Sequence, residues 1–316
     1  QDALLRAGID RSLRHPVMFF LTSGAAWLAV SILLGIIASA KVHAPGLLSS
    51  CAWLTYGRVF PAHLNALVYG WGMQAAFAVI IWLMARLSRK ECTMTGTILT
   101  AGHLWNLGVS LGVIGILSGN GTGIPWMEFP TFAWPVLLVS YIAILIGSFI
   151  QFRVRPEGHV YISQWYLLAA MIWFPWILIT ANTLLHCIPG HPVMGAAISA
   201  WFRSAFIFLF FTPVAIGAAY YLAPKVTGRP IFSYSLAKLG FWSLAVIAVA
   251  AVLFGVVDRP EDARDAGASG SGAGVRLVIR PLQSVNRDMG VDLGGRERSV
   301  PQQLLDGAQV GAALEQ

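Results

Sequence analysis

The sequence has few charged residues and few cysteines. Only 11% of its 316 residues are charged, against about 25% in soluble globular domains, while 57% are hydrophobic. This composition argues against a water-soluble fold. The three cysteines, Cys51, Cys92 and Cys187, show no CxxC spacing, so neither a disulfide framework nor a cysteine metal site is indicated. Cys51 and Cys187 could still meet outside a membrane.

Several catalytic motifs are also absent. The sequence contains no GxxxxGK[ST] or HExxH pattern, which are the signatures of phosphate-binding loops and zinc peptidases. Its long apolar stretches hold no paired carboxylates for acid–base chemistry. They also lack the Asp, Glu or Lys pathway that would favour a transporter.

What the sequence does contain is long apolar runs. A helix of about 20 apolar residues crosses the hydrocarbon core of a bilayer, and lipid favours helices because their backbone groups bond internally. The pattern predicts an all-α integral membrane bundle of about seven helices within residues 1–257. The seven candidate spans lie near residues 17–40, 62–87, 95–118, 131–152, 163–186, 198–223 and 239–257.

The surplus of basic residues reports topology. Lys and Arg number 21 against 14 Asp and Glu, and basic residues gather in cytoplasmic loops. Eleven of them precede the first span or follow the second, fourth and sixth, which predicts a cytoplasmic N-terminus. Membrane lipid is therefore the expected partner, and nucleic acid is not needed to explain the charge. The eleven are Arg6, Arg11, Arg14, Arg86, Arg89, Lys90, Arg153, Arg155, Lys225, Arg229 and Lys238.

Residues 258–316 form a second region of another composition. These 59 residues contain no aromatic side chain but 16 of the charged residues. A Gly-rich, charged chain without aromatics buries too little apolar surface to offset its ordering entropy. We expect a disordered tail, apart from a short helix near residues 302–316.

The second predicted span carries a histidine above small residues. His63, Ala66, Gly70 and Gln74 lie three or four positions apart, which places them on one helix face. Such a smooth trough below an imidazole suits a haem, for which His is a common axial ligand. The alternative is a small-residue packing face, with His63 only hydrogen-bonded at the interface.

Arg203 is a cation that lies away from both ends of its predicted span. Arg203 sits about five residues into the sixth span, where it must snorkel to the surface or find an anion, such as a haem propionate. His103 and His186 are weaker candidates, because neither has a comparable stripe of small residues beside it.

Three segments of the sequence resemble one known family: GRVFPAHLNALVYGWG, YISQWYLLAA and AIGAAYYLAPKVTGRPIFSYSLAKLGFWSL. That family is the haem-copper oxidase superfamily, in particular subunit I of cbb-type (C-family) cytochrome c oxidases. The first segment resembles the second helix of that subunit, and the resemblance runs through about residues 15–245.

The resemblance implies roles for two residues. His63 matches the family's axial ligand to low-spin haem b, and Arg58 matches the Arg of its GR motif near the outer surface. It also implies a bacterial inner (plasma) membrane location and other respiratory-complex subunits as partners. Cofactor-binding candidates are thus His63, Arg58, Ala66, Gly70, Gln74 and Arg203.

The sequence departs from the family where copper binds. Ser204 in AWFRSAF stands at the position of a copper-ligating His, and residues 239–257 contain no histidine where the family has a pair. Since a Ser hydroxyl is a poor copper ligand, copper is not expected. The chain also holds only the first seven of the family's roughly twelve helices, which we interpret as a truncated or frameshifted gene, or as helices supplied by another polypeptide.

Three functions can be weighed against these sequence features. The leading one is a degenerate subunit I homologue that binds one haem b through His63 and passes electrons in a respiratory assembly without reducing oxygen by itself. The alternative is a cofactor-free scaffold or assembly subunit, or a truncated non-functional product. An active oxidase or nitric oxide reductase is disfavoured, because the ligands of the second metal are absent.

Overall fold

A computed structural model describes residues 2–156, 160–187, 192–231 and 233–257 of the chain. Within these ranges the protein contains helices and no β-strand. Seven helices follow one another, with a single 3-10 turn at Ala52–Leu54 before the second. They are α1 Asp2–His43, α2 Tyr56–Ser88, α3 Thr95–Ser118, α4 Ala133–Arg153, α5 Ile162–Cys187, α6 from Pro192 to Thr227 and α7 Tyr234–Val257.

Two of the helices contain a wide π-helical segment. In α2 it is Ala66–Gly72, and in α6 it is Ile207–Phe211. A π-helical turn holds more residues than an α-helical turn and occurs frequently at functional sites. Side chains on either side of such a segment therefore point in directions that a uniform period of 3.6 residues does not give.

The helices have the length of membrane spans. Six of them, α1 to α6, are long and apolar enough to cross a bilayer by length and composition, which confirms the all-α membrane class. The seventh predicted span coincides with α7, and its spanning role stays a prediction. The 42 residues of α1 extend about 63 Å at 1.5 Å per residue, so its first turns continue beyond the predicted span.

The helix starts differ from the predicted ones in two places that bear on function. Helix α2 begins at Tyr56, so His63 lies two turns inside it and not in its first turn. Helix α6 begins at Pro192, so Arg203 lies about three turns inside it. Residues that precede a hydropathy maximum join the helix because their backbone groups gain hydrogen bonds there.

The centre of the bundle is filled with aromatic rings. Phe77 and Trp105 meet edge to face at 5.1 Å between centroids, and Phe174 lies 4.7 Å from Tyr141 and 4.9 Å from Phe206. All five side chains are fully buried. Lipid tails are as apolar as these side chains, so the hydrophobic effect does not drive membrane helices together. Tight van der Waals packing of this kind holds them together instead.

Two of the sequence predictions concern residues that the structure does not describe. The tail at 258–316, its short helix and its disorder lie outside the described residues, as does the side chain of His186.

Cys51 and Cys92 carry free thiols, so this structure has no disulfide between Cys51 and Cys187.

Candidate functional site

His63 is held by a neighbouring helix. Its Nδ1 lies 2.7 Å from the backbone oxygen of Ser31 in α1, and the Ser31 hydroxyl donates to the His63 carbonyl at 3.0 Å. Because a carbonyl oxygen only accepts, this contact requires the hydrogen on Nδ1, and the neutral ring then carries its lone pair on Nε2. Metal-ligating histidines are oriented in this way.

The imidazole needs a glycine beside it. A Cβ on Gly35 of α1 would lie 2.9 Å from both Cε1 and Nδ1 of His63. Only glycine therefore allows α1 to approach the ring without displacing it. The π-helical segment of α2 begins at Ala66, three residues after His63, so this ring stands directly before a change in helical geometry.

The face below His63 is covered, which agrees with the alternative of a small-residue packing face. A Cβ on Gly70 would lie 2.7 Å from Cβ and Cγ of Trp27 in α1, and Ala66 is fully buried. The sequence pattern identified a real face, but α1 packs against it. The small residues let the two helices approach closely.

Gln74 lies at the lower end of this face in a polar network. It donates to the Gly70 carbonyl at 2.7 Å and to Asn106 Oδ1 at 3.1 Å, and it accepts a hydrogen bond from the Ser23 hydroxyl. Trp27 Nε1 donates to the same Asn106 oxygen at 2.8 Å. The network joins α1, α2 and α3, and it satisfies polar groups that would be costly in lipid.

Arg58 caps a helix end. Its Nη1 donates to the Leu117 carbonyl, in the last turn of α3, at 3.2 Å. Gly119 follows with φ +99°, and a Cβ there would lie 2.8 Å from Arg58 Nη2. A cation beside the exposed carbonyls of a helix C-terminus is favourable. This structural role gives Arg58 a reason to be present whether or not it meets a cofactor.

Arg203 has an acidic neighbour that the sequence analysis missed. Glu128, in the loop between α3 and α4, is 6% exposed, and Asn65 Nδ2 donates to it at 2.6 Å. Burial raises the pKa of the Glu128 carboxyl, against the lowering effects of Asn65, of nearby backbone N–H groups and of the Arg203 charge. The available signal was a lone Glu in the apolar run WMEFPTFAW.

The loop that carries Glu128 is fixed to the bundle. Trp126 has φ +67°, which is uncommon for a bulky residue, and its carbonyl accepts from the Tyr69 hydroxyl at 2.7 Å. Ser199 of α6 donates to the Pro125 carbonyl at 3.0 Å. Helices α2 and α6 thus hold the carboxylate of Glu128 at a set position near Asn65.

His103 is the other histidine candidate in the described part of the chain, and it lies on the surface of the bundle. His103 of α3 is exposed, and its ring lies 4.5 Å from that of Phe19. Among the residues that the structure describes, no three His, Cys, Asp or Glu side chains are grouped so as to hold a metal ion. A haem needs only one or two protein ligands, so it does not require such a group of three.

Most of the chain matches one known protein family. A family model described as Cytochrome C and Quinol oxidase polypeptide I matches residues 15–254. The chain belongs to this family. Members generally bind haem and work in membranes within multi-subunit respiratory complexes. The family resemblance of the three sequence segments is thereby confirmed.

Curated oxidase relatives match at low identity. The Cbb3-type cytochrome c oxidase subunit CcoN1 of Stutzerimonas stutzeri is 26% identical over 236 residues, which are 70% of this chain and 48% of the relative. Cytochrome c oxidase subunit 1 homologues of Azorhizobium caulinodans and Bradyrhizobium diazoefficiens are 23% and 22% identical over 69% and 72% of this chain. The chain spans about half the length of these relatives or less.

Proposed function

We propose that this oxidase-family chain binds one low-spin haem b through Nε2 of His63 and passes electrons within a respiratory assembly. The observation that carries the proposal is the 2.7 Å contact between His63 Nδ1 and the Ser31 carbonyl oxygen. It leaves Nε2 as the ring's acceptor atom, and the described residues give Nε2 no hydrogen-bond partner. The haem supplies reversible one-electron chemistry at its iron.

The protein's own residues prepare the ligand. Ser31 orients the ring and fixes its tautomer, and Gly35 makes room for it. Because α1 covers Gly70, we assign Ala66, Gly70 and Gln74 to holding α1 on α2. They act on the site indirectly, by keeping Ser31 opposite His63.

Two cations belong to the same proposal. Arg58 lies fewer than two turns before His63, and Arg203 lies near the carboxylate of Glu128. Haem propionates are anions, and a guanidinium suits carboxylates through its paired N–H donors. We propose that Arg58 and Arg203 provide the positive charge for propionates at this end of the bundle.

We propose further that this chain forms no copper site. Ser204 occupies the position of a copper-ligating histidine, and residues 239–257 contain no His. Copper in proteins favours imidazole and thiolate ligands over a hydroxyl. We therefore expect no oxygen reduction by this polypeptide alone. The basic loops support a cytoplasmic N-terminus, and the bacterial relatives support a bacterial inner membrane location.

A reduced-minus-oxidised absorption spectrum of the purified full chain tests the haem proposal. We expect a haem b spectrum that His63→Ala abolishes. His103→Ala is the matched control, because it removes an exposed imidazole from α3 and is expected to leave the spectrum unchanged. Loss of the spectrum in both variants, or in neither, contradicts the assignment of His63.

A cofactor-free scaffold is the second candidate, and the covered face supports it. Trp27 of α1 packs directly on Gly70, so the contact between α1 and α2 is made by protein side chains alone at this position. A scaffold is expected to co-purify with other respiratory subunits and remain colourless. A haem spectrum that depends on His63 counts against this candidate.

A further inference from the structure

One end of the bundle contains a cavity with a positively charged lining. It has a volume of about 350 Å³ and lies where α2 and α6 end and where α5 and α7 begin. We call it the basic pocket. The residues that define it are Ile9, Arg86, Arg89, Tyr161, Tyr220 and Lys225.

The charges of the basic pocket are of one sign. Arg89 and Lys225 are exposed at its rim, and Lys225 Nζ lies 4.6 Å from the centroid of the Tyr221 ring. No acidic residue is present among the described residues that line it. Arg6 also lines the pocket and is exposed, so an anion entering it would meet three exposed cations.

Arg86 adds donors to the inner wall. Its Nη2 contacts Asp10 Oδ2 at 2.7 Å, which neutralises part of its charge. Its Nε is buried and has no hydrogen-bond partner in the part of the chain that the structure describes. Since a guanidinium carries five N–H donors, Asp10 leaves Arg86 with capacity for another acceptor.

The rest of the lining selects the kind of anion. Apolar side chains, among them Ile9 and Leu87, form walls that continue from the membrane-spanning helices. Tyrosines also line the pocket, and tyrosine is enriched at membrane interfaces. The cavity is far larger than an inorganic phosphate, and its apolar walls suit acyl chains.

We propose that the basic pocket binds the phosphate group of an anionic phospholipid of the surrounding bilayer. Basic pockets between transmembrane helices bind such headgroups by charge, with the chains lying along apolar helix surfaces. Arg89 and Lys225 provide the charge, and Tyr161 and Tyr220 offer hydroxyl donors. This inference is independent of haem binding by His63.

Equilibrium binding to the delipidated full chain in detergent tests the proposal. The probe is phosphatidylglycerol with a fluorescent acyl chain, compared with phosphatidylcholine carrying the same chain. We expect the anionic lipid to bind about tenfold tighter or more, and the double variant Arg89→Gln/Lys225→Gln to remove most of that difference. The charge-preserving pair Arg89→Lys/Lys225→Arg is expected to keep it.

Arg153→Gln/Arg155→Gln is the matched control. It also removes two positive charges from this end, but these residues line a different groove, beside Phe149 and Phe152. Equal losses in the two charge-removing pairs would show unspecific attraction and overturn the proposal. So would equal binding of the two lipids. Displacement of the probe by inorganic phosphate at equal concentration would mark a site for a soluble anion instead.

Discussion

His63 Nδ1 lies 2.7 Å from the carbonyl oxygen of Ser31, so a side chain carried by α2 is oriented by the backbone of α1. The packing of these two helices and the geometry of the candidate ligand are therefore one structural feature. Changes in the α1–α2 interface should affect both folding stability and haem binding.

Gly35→Ala is predicted to lower haem affinity about tenfold or more, the usual effect of disturbing a residue that orients a metal ligand. The new Cβ would lie 2.9 Å from the imidazole, and the ring would turn away from Ser31. Haem absorbance per polypeptide measures the effect. Gly57→Ala, where no other atom lies within 4 Å of the new Cβ, serves as control. Unchanged haem content in Gly35→Ala would refute the role of Gly35.

Gly70→Ala is predicted to destabilise the fold by about 1–3 kcal/mol, the usual cost of overpacking. Its Cβ would lie 2.7 Å from Trp27, and α1 would be pushed outward. Reversible unfolding in mixed micelles gives the free energy. Gly96→Ala, a helical position with open space around it, is expected to be neutral or stabilising. A stabilised Gly70→Ala would mean that the face is open after all.

Asn106→Ala is predicted to lower the free energy of unfolding by about 1–3 kcal/mol, because it removes an acceptor that two donors share in the helix interface. Trp27 Nε1 and Gln74 Nε2 both donate to Asn106 Oδ1. The same unfolding measurement applies. Ser110→Ala is the control one turn later, since the Ser110 hydroxyl bonds only to a carbonyl of its own helix. If the two variants lose equal stability, the network is not the cause.

Glu128→Gln is predicted to remove a pH-dependent loss of stability. Burial raises the pKa of Glu128 in the folded protein above its ordinary value of 4.5, so the fold favours the protonated form. The contribution of Glu128 is constant below its ordinary pKa and falls as the pH rises through the raised pKa. Melting temperatures of wild type and Glu128→Gln should therefore diverge with rising pH, in favour of the variant.

Glu91→Gln is the comparison for that experiment. It removes a carboxylate from the exposed surface, and the difference between the two variants isolates the effect of burying Glu128. A difference that is independent of pH would show that the raised pKa of Glu128 makes no contribution to folding.

Much of the fold could be predicted because hydropathy is local. Six of the seven predicted spans coincide with helices that qualify as spans. The positions of helix ends could not be predicted as well, since residues such as Tyr56 and Pro192 enter helices through backbone bonding that hydropathy does not register. The π-helical segment Ala66–Gly72 could not be predicted either, because the spacing of its apolar residues does not distinguish it from the α-helix around it.

The sequence by itself determined the membrane class, the resemblance to the oxidase family, the face of α2 that carries His63, and the departure at Ser204. These features depend on residue type and on spacing along one helix. Only the tertiary structure decided that α1 covers Gly70 and that Glu128 lies near Arg203. Both are contacts between distant segments, and helix association in lipid depends on shape and hydrogen bonds that one-helix patterns do not encode.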